Sequence, residues 1–192
     1  MSIIVMKFGG TSVADIDCIK NVAQKVVNQY KKNKKIVVVV SAMSGATDSL
    51  VNLTNQISEK RNLEEYDVVV SSGEQVTAGL LAMAITDLSV KSRSLMGWQI
   101  PIITDDTHYK AIIENISNTN IFTLLNNEEI VVVPGFQGVT RENRISTLGR
   151  GGSDTSAVAI AASIKAERCD IYTDVDGVYT TDPRMVPKAK KL

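Results

Sequence analysis

Residues 2–12 read SIIVMKFGGTS, an apolar run followed at once by two glycines and two hydroxyl side chains. Large and β-branched side chains bounded by glycine favour a buried strand, so we predict a strand over Ser2–Phe8. Apolar side chains then recur at helical spacing from Asp15 to Tyr30, which predicts an amphipathic helix. The amino-terminal segment is therefore a strand, a tight turn at Gly9-Gly10 and a helix.

The same unit recurs along the chain. Strand, loop and helix in succession predict an α/β fold with a mainly parallel sheet covered by helices on both faces. The further strands are expected at Ile36–Val40, Ile130–Pro134 and Cys169–Thr173, with a short strand region at Leu95–Ile103 broken by Pro101. Helices are expected around Ser49–Lys60, Val68–Leu88 (continuous or interrupted near Gly73), Ile121–Leu125 and Ser153–Lys165, and a hairpin over Phe136–Gly149.

Composition excludes several classes of protein. The 192 residues carry 21 Lys and Arg against 21 Asp and Glu, so a polyanion-binding surface and a nucleic-acid partner are not expected. Cys18 and Cys169 lie far apart in sequence, which argues against a disulfide scaffold or a cysteine-rich zinc site. We find no apolar run of the roughly 20 residues that span a bilayer, and we expect a cytoplasmic protein without a membrane partner.

Three loops follow predicted strands and hold the chemistry. Parallel sheets bind ligands beyond the carboxyl ends of their strands, where residues 9–12, 41–48 and 149–154 are expected. In the first loop, Lys7 interrupts an apolar strand, and a buried ammonium is costly unless an anion or carboxylate meets it. Glycines and a helix start beside it suit a phosphate, although a purely structural turn is the alternative.

The other two loops combine glycine with polar side chains. Residues 41–48 read SAMSGATD and suit an anionic ligand, or equally a capping turn with Thr47 or Asp48 as N-cap. Residues 149–154 read GRGGSD, where Ser153 and Asp154 suit a helix cap. Capping does not account for Arg150, whose guanidinium between glycines suits bidentate capture of a carboxylate or phosphate.

Other signals predict no further site. The acidic turn Thr173–Gly177 lacks the spacing of a calcium loop, and no metal ligands are assigned. His108, the sole histidine, lies in a polar loop and is expected to be solvated. No Ser-His-Asp or Cys-His set is evident.

Four motifs in order resemble the aspartate kinases of the amino-acid kinase family: KFGGTS at 7–12, SSGE at 71–74, GRGGSD at 149–154 and TDVDGVYTTDPR at 173–184. The resemblance implies a three-layer α/β/α sandwich, the amino-acid kinase fold. It also implies transfer of the ATP γ-phosphoryl group to the side-chain carboxylate of L-aspartate, the first step in making lysine, threonine and methionine. An ionised acceptor needs no general base, only positioning and charge neutralisation.

The resemblance also assigns residues. It implies catalytic roles for Lys7 and Asp154 and Mg²⁺ held mainly through the ATP phosphates. Aspartate is expected at Thr47, Glu74, Phe136, Arg150, Gly151, Gly152 and Ser153. ATP is expected at Lys7, Gly9, Gly10, Ser41, Thr173, Asp174, Tyr179 and Arg184.

The chain departs from the family after residue 184. The family's further nucleotide-contacting lysine motif and its ACT regulatory domains are not found before Leu192, so we expect a catalytic domain over 1–192 that is incomplete at its C-terminus. It would act as a homodimer or with a missing C-terminal part. The alternatives are a non-catalytic aspartate-binding remnant and a kinase with another acceptor.

Overall fold

The computed structural model describes residues 2–32, 34–58, 60, 62–173, 188 and 190. Its strands are β1 (Ile3–Phe8), β2 (Lys35–Val40), β3 (Ser92–Ser94), β4 (Ile102–Thr104), β5 (Ile113–Ile116), β6 (Ile130–Pro134), β7 (Gln137–Val139), β8 (Ile145–Thr147) and β9 (Arg168–Tyr172). Its helices are α1 (Ile16–Tyr30), α2 (Ala46–Ile57), α3 (Leu63–Asp87), α4 (Thr119–Asn126) and α5 (Gly152–Ser163), with a 3-10 turn at Gly10–Val13.

Within the described part of the chain, the central sheet has five parallel strands in the order β3-β6-β2-β1-β9. Alternate side chains of its inner strands enter two separate cores. On one face, Ile36, Val38 and Val40 pack with α1 and α3. On the other face, Val37 and Val39 pack with α4 and α5. A strand with both faces covered must be apolar throughout, which accounts for the run of four valines at residues 37–40. The three-layer α/β/α sandwich is therefore confirmed.

A second sheet, in the order β5-β4-β7-β8, packs against α3 through β8. Its antiparallel β7–β8 pair confirms the hairpin predicted over Phe136–Gly149. Strand β5 has no counterpart in the sequence prediction, because its residues Ile113–Ile116 are too few and too exposed to show an alternating pattern.

Some boundaries differ from the prediction. Residues 95–101 form no strand: β3 ends at Ser94, and a turn from Met96 leads to β4, held by a bond from Ile100 N to the Met96 carbonyl. Helix α2 occupies Ala46–Ile57 rather than 49–60. Helix α3 begins five residues earlier than predicted, because the Asn62 side chain caps it by accepting from Glu64 N and Glu65 N.

Helix α3 is uninterrupted at Gly73. A Cβ at that position would lie 2.9 Å from Ala42 Cβ, so the glycine lets the helix approach the turn after β2. By length and mean hydropathy α3 alone among the described residues meets the criteria for a membrane span, contrary to the sequence expectation. It packs against α1 and β6 and buries Asp67 and Glu74, as a core helix does.

The start of α5 packs tightly against the end of β6, which predicts the outcome of one substitution. A Cβ on Gly135 would lie 2.8 Å from Ser153 Cβ, so Gly135→Ala should cost about 1–3 kcal/mol of unfolding free energy. Gly79→Ala is the matched control within α3: its Cβ meets nothing within 4 Å, and the helix should gain roughly 0.5–1 kcal/mol. Urea unfolding measures both, and equal stability of Gly135→Ala and wild type would refute the contact.

Candidate functional site

A cavity of about 480 Å³ opens at the carboxyl ends of β1 and β2 and at the amino ends of α2 and α5. All three predicted loops contribute to it. Helix α3 adds one side chain to the wall, that of Glu74. Of the residues proposed from sequence, the cavity is lined by Lys7, Gly9, Gly10, Ser41, Thr47, Glu74, Phe136, Gly151, Gly152, Ser153, Asp154 and Thr173.

Among the described residues that line this cavity, Lys7 supplies the cation, placed near the end of β1 with only 8% of its side chain exposed. Its Nζ lies 2.7 Å from Oδ1 of Asp154, and Asp154 is half exposed at the start of α5. A Cβ on Gly9 would lie 3.4 Å from Lys7 Nζ, so the ammonium sits close to the glycine turn. The buried lysine therefore meets a carboxylate, as its position in an apolar strand required.

The turn before α5 depends on two glycines with left-handed backbones, Gly149 (φ 77°) and Gly151 (φ 73°). Non-glycine residues rarely adopt this conformation. Gly151 occupies the N-cap, and Ser153 and Asp154 lie in the first helical turn. The alternative that these two side chains cap α5 is thus wrong. A carboxylate in a first turn is favoured by the helix dipole, and here it also faces Lys7.

The loop after β2 likewise does not use its predicted caps. Gly45, with φ 75°, is the N-cap of α2, while Thr47 and Asp48 lie in the first turn. Thr47 therefore lines the cavity without serving as the helix cap.

Glu74 is a buried carboxyl with one satisfied oxygen. Its Oε1 accepts a hydrogen bond of 3.1 Å from Ala42 N, while Oε2 is buried and has no hydrogen-bond partner among the described residues. Burial raises the pKa of Glu74 from 4.5 to about 7, against the opposing effect of the Ala42 N–H. A buried acceptor on a cavity wall is suited to a ligand that brings a cationic donor.

Phe136 forms part of the cavity rim and has an unusual backbone. Its φ of 67° places a bulky residue in the left-handed region. The Ser156 hydroxyl holds this conformation, accepting from Phe136 N at 3.1 Å and donating to the Gly152 carbonyl at 2.9 Å. Ser156, which sequence reasoning missed, thereby joins the Phe136 rim to the first turn of α5.

Comparison with known proteins agrees with this geometry. Residues 2–192 match the model of the amino acid kinase family. The chain belongs to the amino acid kinase family. It is 50% identical to an aspartokinase of Rickettsia conorii over 195 residues, and 54% identical to that of Geobacillus stearothermophilus over 192. All of this chain is covered, against 49% and 47% of those proteins, so the chain spans about half the length of the curated relatives it matches.

Solved structures show the same likeness. The aspartate kinase of Synechocystis aligns with a TM-score of 0.79 at 45% identity, over 97% of this chain and 31% of that one. E. coli aspartokinase III in complex with aspartate and ADP aligns with a TM-score of 0.85 at 28% identity, over 99% of this chain and 53% of that one. The resemblance to aspartate kinases is confirmed.

In this amino acid kinase one predicted ligand residue lies apart from the cavity wall. Arg150 is exposed and does not line the cavity, although its neighbours Gly149 and Gly151 do. Its role stays a prediction. Asp174, Tyr179 and Arg184 lie outside the described residues, so the nucleotide-binding role expected for them is untested.

The expectation that His108 is solvated is wrong. Its side chain is 12% exposed, and Nδ1 lies 2.8 Å from Oδ2 of Asp67, which is fully buried. Sequence reasoning also passed over Asp67 itself. The signal in the sequence was weak: Asp67 precedes three consecutive valines, but it also follows Glu64 and Glu65, so it resembles one of the solvated acids of a helix start.

The described residues contain no cluster of three or more His, Cys, Asp or Glu side chains able to hold a metal ion. A Mg²⁺ ion that is bound mainly by phosphates and water needs only one or two carboxylates from the protein. The cavity fits such an ion, because Asp154 offers a half-exposed carboxylate there.

Proposed function

We propose that this chain transfers the γ-phosphoryl group of ATP to the side-chain carboxylate of L-aspartate, giving 4-phospho-L-aspartate. The observation that carries the proposal is the meeting of the Lys7–Asp154 pair and the unpartnered Glu74 oxygen at one cavity. The aspartate and ADP bound by the related E. coli structure support the same ligands here. The product would enter biosynthesis of the aspartate-derived amino acids lysine, threonine and methionine, in the cytoplasm.

The nucleotide end of the cavity is assigned to β1 and its turn. Lys7 would neutralise charge on the transferring phosphoryl group, while the Gly9-Gly10 backbone lets phosphates approach closely. Ser41 and Thr173 lie on the same cavity and would contact the nucleotide. Asp174, Tyr179 and Arg184 are proposed for the adenine and ribose end.

The acceptor end is assigned to α3 and the two glycine-bounded helix starts. Glu74 would pair with the α-ammonium of aspartate, and Arg150 with its α-carboxylate, for which a planar guanidinium fork is suited. Thr47 and Phe136 border this end, as do the first residues of α5, Gly152 and Ser153, with Gly151 before them.

The chemistry needs no general base, because the attacking carboxylate is ionised. What the chain supplies is position and charge: Asp154 orients the Lys7 ammonium, and Lys7 stabilises the phosphoryl group as negative charge redistributes. Mg²⁺ bound through the ATP phosphates would add further neutralisation of phosphate charge.

Calorimetric titration of the chain with ADP and with L-aspartate tests the proposal. Binding of both ligands is expected, together with aspartyl hydroxamate formation when ATP, Mg²⁺, aspartate and hydroxylamine are supplied. Binding of aspartate alone would indicate a non-catalytic remnant. Hydroxamate formed from glutamate or N-acetylglutamate, and not from aspartate, would assign a different acceptor.

A further inference from the structure

Asp67 forms a buried hydrogen-bond cluster outside the cavity. Its carboxylate, 0% exposed, accepts from four donors: His108 Nδ1 at 2.8 Å, Thr147 Oγ1 at 2.6 Å, Thr147 N at 3.1 Å and Tyr109 N at 3.1 Å. Because a carboxylate only accepts, the shared proton of the histidine contact belongs to Nδ1. A charge this deeply buried and this well satisfied fixes the three segments that meet at it.

These three segments hold both sides of the proposed acceptor site. Asp67 lies seven residues before Glu74 on α3, two helical turns away on the same face of the helix. Thr147 ends β8 two residues before Gly149, where the glycine turn that carries Arg150 begins. The loop of His108 supports that turn directly, since a Cβ on Gly149 would lie 3.4 Å from the Tyr109 carbonyl oxygen.

The described residues of the nucleotide side take no part in this cluster. Lys7, Gly9 and Gly10 lie on β1 and its turn, and none of the four donors to Asp67 comes from them. Tyr109 shows how specific the arrangement is: its backbone has φ 71°, and its ring packs edge-on against Tyr66 with centroids 5.6 Å apart. The chain thus keeps a rare backbone conformation at the residue that donates to Asp67.

We infer that Asp67, with His108 and Thr147 as its partners, is a positioning residue that sets the spacing between Glu74 and the Arg150 turn, and so controls affinity for the acceptor amino acid. The inference rests on the proposed function, because it needs Glu74 and Arg150 to bind the two ends of one acceptor. If the cluster is loosened, the turn that carries Arg150 can move away from α3. Glu74 and Arg150, which are proposed to bind the two ends of the acceptor, then lie farther apart, while β1 stays unchanged.

Two pairs of substitutions test this. Thr147→Val keeps the volume of the buried side chain and removes the hydroxyl donor, whereas Thr147→Ser keeps it. His108→Ala removes the Nδ1 donor, whereas His108→Asn places an amide N–H near the same position. The histidine is at the edge of the cluster, so its variants fold even if the fully buried Thr147→Val does not.

The readout is the dissociation constant of L-aspartate beside that of ADP, by calorimetry on the full chain. We expect His108→Ala and Thr147→Val to weaken aspartate at least about tenfold, because binding must then also order the turn that the lost hydrogen bond held in place. ADP affinity should change less than twofold, and the Ser and Asn variants should restore aspartate binding.

Equal weakening of both ligands, or no weakening of either, would overturn the inference and leave the proposed function standing. Failure of the Ser and Asn variants to restore binding would also overturn it, because the donor would then not be what matters. A wild-type chain that binds ADP and not aspartate would instead refute the proposed function, and the inference with it.

Discussion

Substituting Lys7 by methionine is expected to lower turnover about 100- to 1,000-fold, the usual effect of removing one charge contact to a transition state. Lys7 Nζ lies 2.7 Å from Asp154 and is the cation that β1 places in the cavity, where the transferring phosphoryl group is proposed to lie. Methionine keeps the length and apolar stem that pack within β1 and loses the charge alone. The effect should therefore fall on the chemical step.

The fold should survive Lys7→Met. Removing one member of a buried ion pair is costly when the remaining charge stays buried, but Asp154 is half exposed, so water can solvate its carboxylate once the ammonium is gone. Hydroxamate trapping measures turnover and thermal melting measures stability. Lys25→Met, on the exposed face of α1, is the control and should keep wild-type turnover. Wild-type turnover in Lys7→Met would remove the lysine from the mechanism.

The sheet could be predicted because a strand that is buried on both faces appears in the sequence as a continuous apolar run. The apolar runs at residues 3–8, 36–40 and 130–134 have few other uses in a chain of this length. Short strands show no such run. β3 and β5, of three and four residues, are defined by pairing with β6 and β4, and pairing is invisible in one sequence.

The site was predictable where a residue contradicted its surroundings. Lys7 in an apolar strand and Arg150 between glycines both drew attention on that ground, and Lys7 proved to line the cavity. Asp67 did not stand out in this way, because Glu64 and Glu65 precede it at the start of α3. Its partners His108 and Thr147 could not be found this way, because they lie 41 and 80 residues away and only the folded chain brings them together.

Glycine caps explain the errors at the two helix starts. Sequence preference assigns N-caps to side chains that accept hydrogen bonds, which pointed to Thr47 or Asp48 and to Ser153 or Asp154. The structure instead uses Gly45 and Gly151, both with left-handed backbones. The polar side chains of each first turn thus need not cap the helix, and Asp154 meets Lys7 instead.

Glu74→Gln should stabilise the protein at alkaline pH and at the same time weaken acceptor binding. The pKa of Glu74 is raised from 4.5 to about 7 by burial, so the folded chain binds a proton that the unfolded chain releases between these values. Wild-type stability therefore falls as pH rises from about 4.5 to 7, and above that the buried carboxylate costs about 3 kcal/mol, from roughly 1.4 kcal/mol per pKa unit.

Glutamine keeps an oxygen for Ala42 N and has no charge to desolvate. From pH 4 to pH 8 the unfolding free energy of Glu74→Gln relative to wild type should rise by about 3 kcal/mol. Urea unfolding at the two pH values measures this. Glu142→Gln, which removes an exposed carboxylate, is the control and should show a much smaller change.

The same substitution should weaken L-aspartate at least about tenfold and leave ADP unaffected, because the unpartnered Glu74 Oε2 is the proposed partner of the substrate ammonium. In the wild type, aspartate affinity should rise with pH through about 7, as Glu74 becomes ionised. A gain in stability with unchanged aspartate affinity would show that Glu74 is a buried acid that does not contact the substrate. Loss of both stability and aspartate affinity would show that the carboxylate supports the fold. A residue that is kept for binding at a cost to stability should, when replaced, raise stability and lower affinity.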